Sequence, residues 1–245
     1  MSHSLFISDL HLSSEQSPSA VLFRRFASDI APQAEALYIL GDLFEYWAGD
    51  DDLAEPFHAG VAEALRQLAA RGTRLFLMHG NRDLLMGEQL AAACRAELLP
   101  DPVLRDLYGT RTLLTHGDAL CTDDVAYQQF RALVRGNAWR GEFLRLPLAE
   151  RKAQIERMRQ QSEHSKRGKA MEIMDVNEQA VQALLRHYRY PRLIHGHTHR
   201  PAKHLHPLDG HTCERWVLGD WDRGSARVLR ADPAGLHWMT LGEQK

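Results

Sequence analysis

The sequence predicts an α/β fold, in which two layers of sheet lie between layers of helices as an α/β/β/α sandwich. Three observations predict it. Short aliphatic runs recur along the chain, helical patterns separate the first of these runs, and the last runs follow one another without helices. At 245 residues the chain is long enough for one core with an insertion, so we expect a single domain over residues 1–245.

Buried strands are expected where a short aliphatic run precedes polar or glycine-containing residues. These runs are residues 5–7, 37–40, 75–78, 112–115, 193–194, 216–218, 228–229 and 236–239. Two helices are expected between the first three runs. The first begins with Ser17 as its N-cap and Pro18 at its first position, and then repeats Leu22, Phe26 and Ile30. The second carries an apolar stripe at helical spacing, formed by Phe57, Val61, Ala64, Leu65 and Leu68. The C-terminal runs are expected to form a second sheet.

Residues 120–190 differ from the rest of the chain, because they carry almost no strand signal and hold 13 Lys and Arg against 9 Asp and Glu. A capping box is predicted from Asp175 to Glu178, before an apolar helical face of Val181, Leu184, Leu185 and Tyr188. We therefore predict a helical insertion joined to the core at both ends. Its mixture of basic and apolar residues is typical of a solvated helical face, and it also fits an anionic membrane surface.

Composition and termini exclude several classes of protein. The net charge of -2 gives no reason to expect nucleic-acid binding. The three cysteines have no C-x-x-C spacing, which favours a reducing compartment over a disulfide framework. The N-terminus lacks a basic segment followed by an apolar run, and no stretch approaches the roughly 18 apolar residues of a spanning helix. We expect a cytoplasmic protein, or one held at a membrane surface without crossing it.

Five short polar motifs stand where the predicted strands end. They are Asp9-Leu-His11, Gly41-Asp42, Gly80-Asn81-Arg82-Asp83, His116-Gly117-Asp118 and Gly196-His197-Thr-His199. In open α/β sheets, the loops at the carboxyl ends of strands converge on one crevice. Side chains that are distant in the sequence are therefore expected to meet. Each motif alone is common by chance, so this prediction depends on all five occurring together and in this order.

Seven residues of these motifs form the predicted donor set of two carboxylates, one amide oxygen and four imidazoles, namely Asp9, His11, Asp42, Asn81, His116, His197 and His199. This mixture of hard oxygen and borderline nitrogen donors suits Mn²⁺, Fe or Zn better than Mg²⁺ or Ca²⁺. Two ions about 3.5–4 Å apart need a shared anionic bridge. Asp42 is the natural bridge, because it is a lone carboxylate between two sets of ligands. The sequence therefore predicts a dinuclear metal site.

These residues resemble the metallophosphoesterase signature D-x-H, G-D, G-N-x-D/E, H and G-H-x-H. Longer segments resemble the bacterial UDP-2,3-diacylglucosamine diphosphatase family of lipid A synthesis, namely residues 7–12, 38–45, 79–83, 116–124, 173–177 and 195–201. The resemblance runs from residue 5 to about residue 220 and includes the insertion. It implies a metallophosphoesterase-type α/β/β/α sandwich, with the helical insertion as a cap over the active site.

The resemblance also implies roles for individual residues. One ion would be held by Asp9, His11, Asp42 and His199, and the other by Asp42, Asn81, His116 and His197. Both ions would be Mn²⁺, with other divalent transition metals possible. The catalytic residues would be Asp42, Arg82 and His116. The substrate would contact Asn81, Arg82, Asp124, Ser162, Lys166, Lys169 and His197, of which Lys166 lies in a variable polar stretch.

The reaction that the resemblance implies is the Mn-dependent hydrolysis of the diphosphate bond of UDP-2,3-diacylglucosamine. Metal-activated water would attack the phosphorus nearer uridine and release UMP and 2,3-diacylglucosamine 1-phosphate. The implied partners are the acylated UDP-sugar and an anionic membrane surface, without nucleic acid. The implied location is peripheral, on the cytoplasmic face of the inner membrane. The match favours a membrane role for the basic insertion over a merely solvated face.

The residue at position 82 separates this reaction from related ones. Many metallophosphoesterases have histidine there to protonate an alkoxide leaving group, whereas this chain has Arg82. Arginine cannot act as a general acid at neutral pH. A diphosphate leaves as a phosphate monoester, whose second pKa is only about 6, so it needs charge stabilisation more than a proton. Arg82 therefore favours cleavage of a diphosphate over hydrolysis of an ester.

Two other functions stay open at this point. The chain could be a different metallophosphoesterase, such as a nuclease, a cyclic-nucleotide phosphodiesterase or a protein phosphatase. It could also be a metal-binding scaffold without catalysis, although such relatives usually lose ligands and all seven are present here. Among the neighbouring residues, His79 and His195 are expected to form hydrogen bonds rather than bind metal, and Asp83 and Asp118 to orient ligand histidines. The acidic run 50–52 is expected to be a solvated loop.

Overall fold

The computed structural model describes residues 2–166, 175–221 and 224–242. The strands in this part of the chain are β1 (Ser4–Ile7), β2 (Ala36–Leu40), β3 (Arg74–Met78), β4 (Ala96–Leu99), β5 (Val103–Leu107), β6 (Thr110–Thr115), β7 (Arg192–His195), β8 (Ala202–Leu208), β9 (His211–Val217), β10 (Ala226–Asp232) and β11 (Gly235–Leu241). The α-helices are α1 (Pro18–Arg25), α2 (Pro56–Ala70), α3 (Glu88–Cys94), α4 (Val125–Val134), α5 (Asn137–Arg145), α6 (Leu148–Lys166) and α7 (Glu178–His187).

The strands form two sheets, which confirms the predicted α/β architecture. The first sheet has the order β11-β10-β1-β2-β3-β4, and the second has the order β5-β6-β7-β9-β8. Strands β1 to β4 are parallel, as are β6, β7 and β9 in the second sheet. The C-terminal strands do not all belong to the second sheet, so that expectation was partly wrong. Strands β10 and β11 extend the first sheet, because β10 pairs antiparallel with the otherwise open edge of β1.

The two faces of each sheet bury different side chains, and this alternation defines the layers. Leu5 and Ile7 of β1 pack in an apolar cluster with residues of α1 and α2. Phe6 points the other way and joins a second cluster with Leu114 and Ile194 of the second sheet. The far face of the second sheet packs against α7 in a third cluster, which contains Leu113, Leu193, Val181 and Leu185. The layer order is therefore helix, sheet, sheet, helix.

The starts of the first two helices follow from their sequences. The Ser17 hydroxyl accepts a hydrogen bond from the amide of Ala20 at 3.3 Å, and Pro18 is the first residue of α1. Helix α1 ends at Arg25, and a π-helical turn continues the chain to Ile30. The predicted apolar repeat therefore begins in the α-helix and ends in this turn, which has more residues per turn than an α-helix. Helix α2 buries the predicted stripe, with Ala64 half-buried.

Helix α7 begins two residues later than the predicted capping box. Its N-cap is Asn177, whose side-chain oxygen accepts a hydrogen bond from the amide of Ala180 at 3.1 Å. Asp175 is unavailable as a cap because one carboxylate oxygen pairs with Arg200 and the other accepts from Val176. The prediction for this cap was wrong in register, although the helix itself exists.

Helices α4 to α7 occupy the segment between β6 and β7. Side chains from α5, its C-terminal end and α6 pack against the cluster under the first sheet, namely Trp139, Phe143, Leu146, Ile155 and Met158. The Asn177 side-chain amide donates to Asp123 at 2.9 Å and so connects the start of α7 to the loop before α4. No helix in the described part of the chain combines the length and the apolar character that a transmembrane span requires.

The acidic run 50–52 is not a solvated loop, and that expectation was wrong. Asp50 accepts hydrogen bonds from the amides of Gln89 and Leu90 and so caps the start of α3. Asp51 pairs with Arg151 of α6. The buried carboxylate of Asp52 lies 2.5 Å from the ammonium group of Lys152. The run therefore fastens α3 and α6 to the core.

Candidate metal centre

The predicted ligands leave the carboxyl ends of five strands that belong to both sheets. Asp9 and His11 follow β1, Asp42 follows β2 and Asn81 follows β3. From the second sheet, the contributing residues are His116 after β6, and His197 and His199 after β7. Parallel strands bring these loops to one end of the sandwich, which is why residues almost 190 positions apart in the sequence meet.

Five of these residues have a left-handed backbone, which side chains other than glycine rarely adopt. Their φ values are 56° at Asp9, 49° at His11, 53° at Asp42, 70° at His197 and 55° at His199. This conformation costs about 1–2 kcal/mol per residue. Such strain concentrates at functional sites, where the surrounding structure holds it in place. The backbone therefore marks these loops as a site independently of the side chains.

Two glycines allow the loops to approach each other. A Cβ atom on Gly80 would overlap the carboxylate and the amide of Asp42, and one on Gly41 would overlap the imidazole of His116. Gly41 also has a φ of +92°, which glycine adopts without strain. Both positions need the absence of a side chain so that the predicted ligands can come together.

The first group of donors surrounds the Asp9 carboxylate, which is fully buried. Its Oδ1 lies 3.4 Å from Nε2 of His199, and that nitrogen lies 3.3 Å from Nε2 of His11. The other oxygen of Asp9 accepts hydrogen bonds from the Ser8 hydroxyl and the His197 amide. Among the described residues Oδ1 accepts none. A buried acceptor without a donor needs a partner, and a cation bound between these atoms would supply it.

The second group shares Asp42 with the first. Oδ1 of Asp42 accepts a hydrogen bond from the Arg82 amide at 2.8 Å. Oδ2 lies 4.0 Å from Nε2 of His11 and 3.8 Å from Nε2 of His116, so it stands between the two groups as a bridge would. His116 Nε2 is also 3.1 Å from the side-chain oxygen of Asn81, and the ring of His197 packs edge-on against His116.

Three ligand imidazoles are held in the same way, with Nδ1 against an oxygen and Nε2 towards the centre. Nδ1 of His116 donates to the carbonyl oxygen of Leu40 at 2.9 Å. Nδ1 of His11 lies 3.1 Å from Glu45, and Nδ1 of His199 lies 3.3 Å from Asp220. An oxygen at Nδ1 fixes its proton there and leaves the lone pair of Nε2 for a metal. The donor set therefore fits divalent transition metal ions.

The charges of the carboxylates also favour a cation. Burial opposes protonation of His199, but contacts with Asp220 and Asp9 raise its pKa to about 10. Burial likewise opposes protonation of His116, but Asp42 and Asp9 raise its pKa to about 9. Burial, and next the charge of His116, lower the pKa of His197 to about 4. In the metal-free protein, the protonated rings of His116 and His199 therefore supply the positive charge that bound cations are expected to supply.

The sequence interpretation missed Glu45 and Asp220, the carboxylates behind His11 and His199. A signal for Asp220 exists, because Gly219-Asp220 stands shortly after β9, much as Gly41-Asp42 stands directly after β2, and each pair is preceded by leucine. Glu45 lies in the same loop as Asp42, but nothing in that loop indicates which ligand it contacts.

Asp83 and Asp118 do not orient ligand histidines through hydrogen bonds, contrary to expectation. Asp83 accepts from the amides of Gly80 and Leu43, both at 2.8 Å, and so ties two of the loops together. Asp118 accepts from side chains of α4. As expected, His79 and His195 form hydrogen bonds away from the centre. Nε2 of His79 donates to the carbonyl of Met86, and Nδ1 of His195 to that of Gly196.

The predicted substrate contacts are distributed between the core and the insertion. Nη1 of Arg82 lies 3.3 Å from Glu45, and the side chain is 18% exposed. Asp124 caps α4 by accepting from the Tyr127 amide at 3.1 Å. Ser162 is an exposed residue of α6. The side chain of Lys166 and the whole of Lys169 lie outside the described residues. The roles of these residues stay predictions.

Comparison with known proteins adds a family. A family model described as calcineurin-like phosphoesterase matches residues 3–201. The chain is 56% identical over 231 residues to a UDP-2,3-diacylglucosamine hydrolase of Aromatoleum aromaticum, with 94% of both chains covered. It is 48% identical over 238 residues to the UDP-2,3-diacylglucosamine hydrolase of Edwardsiella ictaluri, covering 97% of this chain and 91% of that one. For the enzyme of that name from Nitrosococcus oceani, the identity is 48% over 235 residues, covering 95% and 92%.

Proposed function

This chain belongs to the calcineurin-like phosphoesterases and, among them, to the UDP-2,3-diacylglucosamine hydrolase family, and we propose that it cleaves the diphosphate bond of UDP-2,3-diacylglucosamine. Members of this family are hydrolases with a divalent metal site. The proposed products are UMP and 2,3-diacylglucosamine 1-phosphate. The observation that carries the proposal is the convergence of three Nε2 atoms, with Nδ1 held in each ring, on the buried carboxylates of Asp9 and Asp42.

We propose two Mn²⁺ ions at this centre. Asp9, His11, Asp42 and His199 would hold one, and Asp42, Asn81, His116 and His197 the other. Two bound divalent ions supply activation of the attacking water and neutralisation of the charge on the phosphoryl oxygens. His116 is fully buried and its Nδ1 proton is held by Leu40, so it acts as a ligand rather than as an acid.

Arg82 has two functions in this proposal. Its amide holds Oδ1 of Asp42 and so leaves Oδ2 for the metals. Its guanidinium group, partly exposed beside Asn81, can bind the diphosphate through two parallel donors. Because arginine stays protonated at neutral pH, it stabilises the leaving phosphate by charge and not by proton transfer.

We further propose that helices α4 to α7 form a cap that meets both the acyl chains and an anionic membrane surface. Four of the six exposed large apolar side chains in the described part of the chain lie on α4 and α5, namely Val125, Phe130, Leu133 and Leu144. Residues 131–169 add eleven basic residues against four acidic ones. Apolar side chains among basic ones favour the surface of an anionic bilayer, so a peripheral position on the cytoplasmic face of the inner membrane is proposed.

The decisive experiment incubates the Mn²⁺-loaded protein with UDP-2,3-diacylglucosamine in ¹⁸O-labelled water. We expect UMP as a product, and ¹⁸O in UMP because water attacks the phosphorus nearer uridine. Label in the lipid phosphate would overturn the site of attack. Turnover of a nitrophenyl phosphodiester without any UMP from the acylated UDP-sugar would favour a nuclease or cyclic-nucleotide phosphodiesterase and would overturn the proposal.

A further inference from the structure

Glu45 connects three elements that are far apart in the sequence. It lies in the loop after β2, and its side chain is 19% exposed. Oε2 is 3.1 Å from Nδ1 of the predicted metal ligand His11. Oε1 is 3.3 Å from Nη1 of Arg82 and 2.5 Å from Nη2 of Arg159 on α6. One carboxylate therefore touches a metal ligand, a predicted diphosphate contact and the insertion.

The contact with His11 bears on where its ring carries a proton. The Glu45 carboxylate, 3.1 Å from Nδ1, favours a proton on that nitrogen through its charge, and Nε2 faces Asp42 and His199. A carboxylate behind a ligand imidazole increases the basicity of the ligand and typically contributes 10- to 100-fold to metal affinity. Glu45 occupies this position for His11, as Asp220 does for His199.

The contact with Arg159 differs from the other bonds that hold α6. Arg151 is buried and bonds the carbonyls of Ala48 and Leu146, and Lys152 pairs with Asp52. None of these partners belongs to the predicted ligands. Among the described contacts of α6 with the loops after β2, the pair of Arg159 with Glu45 is the one that continues to a metal ligand.

Arg159 also retains a free donor. Its Nη1 bonds Glu156 and its Nη2 bonds Glu45, but its Nε is buried and has no partner among the described residues. Glu45 thus places two guanidinium groups, those of Arg82 and Arg159, on one oxygen beside the centre.

We propose that Glu45 is a positioning residue that couples the docking of α6 to the metal centre, by holding His11 as a ligand and the two arginines side by side. This deepens the proposed function and rests on it for the metal. Coupling between two sites is reciprocal. A loosened α6 therefore weakens metal binding at His11, and loss of the Glu45 charge loosens α6.

The test uses the full chain and needs no substrate. Glu45→Gln keeps the shape of the side chain and removes its charge. We expect Mn²⁺ affinity, measured by titration, to fall about tenfold. We also expect faster hydrogen exchange of the α6 amides in the metal-free protein. Arg159→Met should give the same change in exchange and a smaller loss of affinity. In the double variant the two losses of Mn²⁺ affinity should not add, because both substitutions remove the same contact between Glu45 and Arg159.

The matched control is Glu156→Gln, which removes the other carboxylate partner of Arg159. Glu156 is 54% exposed, and none of its described contacts is with His11, so Mn²⁺ affinity should stay within twofold of the wild type.

If Glu45→Gln does not fold, as judged by its thermal transition, Arg159→Met decides by the same two measurements. The proposal is overturned if the variants keep wild-type affinity and exchange, or if the control weakens Mn²⁺ binding equally. If Glu45→Gln weakens binding while the wild type releases no UMP, the coupling stands and the proposed function fails.

Discussion

The buried carboxylate of Asp118 accepts a hydrogen bond from the Tyr127 hydroxyl at 2.8 Å, and the ring of Tyr127 stacks on the imidazole of His197. Asp118 also accepts from Arg131 at 2.8 Å and from Arg135 at 3.3 Å, so three side chains of α4 and its C-terminal end meet one carboxylate. Because Asp118 follows His116 by two residues, this cluster connects the insertion to a ligand-bearing loop.

Asp118→Asn is expected to reduce the free energy of unfolding by about 2–3 kcal/mol, measured by urea denaturation. The reason is that Arg131 and Arg135, which are only 21% and 22% exposed, lose their shared carboxylate. Tyr127→Phe is the control, because it removes one of the three donors and keeps the ring against His197. It should cost about 1 kcal/mol. Equal losses in the two variants would contradict the role of the charge.

Metal binding is expected to release protons at pH 7.5. In the metal-free protein the pKa of His116 is raised to about 9 and that of His199 to about 10, so both rings are protonated there. A ring must lose one proton to bind a metal through Nε2, so metal affinity should fall as the pH falls below these values. Without metal, the raised pKa values stabilise the fold below about pH 6.5, and this stability is lost as the pH rises through 9 and 10.

Calorimetric titration with Mn²⁺ in buffers of different ionisation enthalpy measures the protons released. The number of protons released should decrease as the pH rises through 9 and 10, because the metal-free rings then become neutral. An affinity that does not change between pH 6 and pH 8 would contradict the geometry of these two rings.

Asp42→Asn is expected to lower the number of bound Mn²⁺ ions and to reduce the rate of UMP release by roughly 10²–10³-fold. The substitution removes the charge of the oxygen that stands between His11 and His116 and keeps the shape of the side chain. Metal analysis after gel filtration and the UMP assay provide the two measurements. Asp29→Asn, at an exposed carboxylate after α1, is the control and should change neither. Full metal occupancy in Asp42→Asn would argue against a bridge.

Substitutions of Arg82 test the preference for a diphosphate. Arg82→His should lower the kcat/KM for UDP-2,3-diacylglucosamine roughly 10- to 100-fold, because histidine cannot offer a charged donor pair at neutral pH. Arg82→Lys keeps the charge but loses the planar pair, so its loss should be smaller. Steady-state assays with the acylated UDP-sugar provide the measurement. Unchanged turnover in Arg82→His would remove this argument against ester hydrolysis.

Replacement of the exposed apolar residues of α4 is expected to weaken membrane binding. The double variant Phe130→Ser and Leu133→Ser removes side chains that are 41% and 58% exposed. Co-sedimentation with vesicles containing an anionic lipid should fall several-fold, and salt should weaken binding of the wild type. Val21→Ser, on α1 and 53% exposed, is the matched control outside the insertion. Binding of the wild type that is indifferent to salt would contradict the electrostatic part.

The sequence predicts the central strands well and the edge strands poorly. The apolar runs fall on β1, β2, β3, β6, β7, β9 and β10, each of which has neighbours on both sides, and on a single edge strand among those described, β11. Strands β4, β5 and β8 were missed, and all three lie at sheet edges. An edge strand has one unpaired side and more exposed residues, so β8 mixes lysine and histidine with its apolar residues. A search for apolar runs does not detect such a strand.

The site follows from the sequence as far as the convergence of its predicted ligands, and no further. Motifs at the ends of parallel strands must converge, so a ligand set can be recognised from the order of the motifs. The bond between Glu45 and Arg159 joins residues 114 positions apart and depends on where α6 docks. Packing, which the sequence does not reveal residue by residue, determines that position. The contacts that place Glu45 behind a predicted ligand therefore required the structure.

The left-handed backbone at Asp9, His11, Asp42, His197 and His199 has an evolutionary consequence. Glycine adopts this conformation freely, so a descendant released from selection on the centre would become more stable by accepting glycine at any of these positions. Drift would then erase the ligands early. A relative that carries glycine at two of these positions is therefore expected to have gained backbone stability and lost two of the predicted ligands.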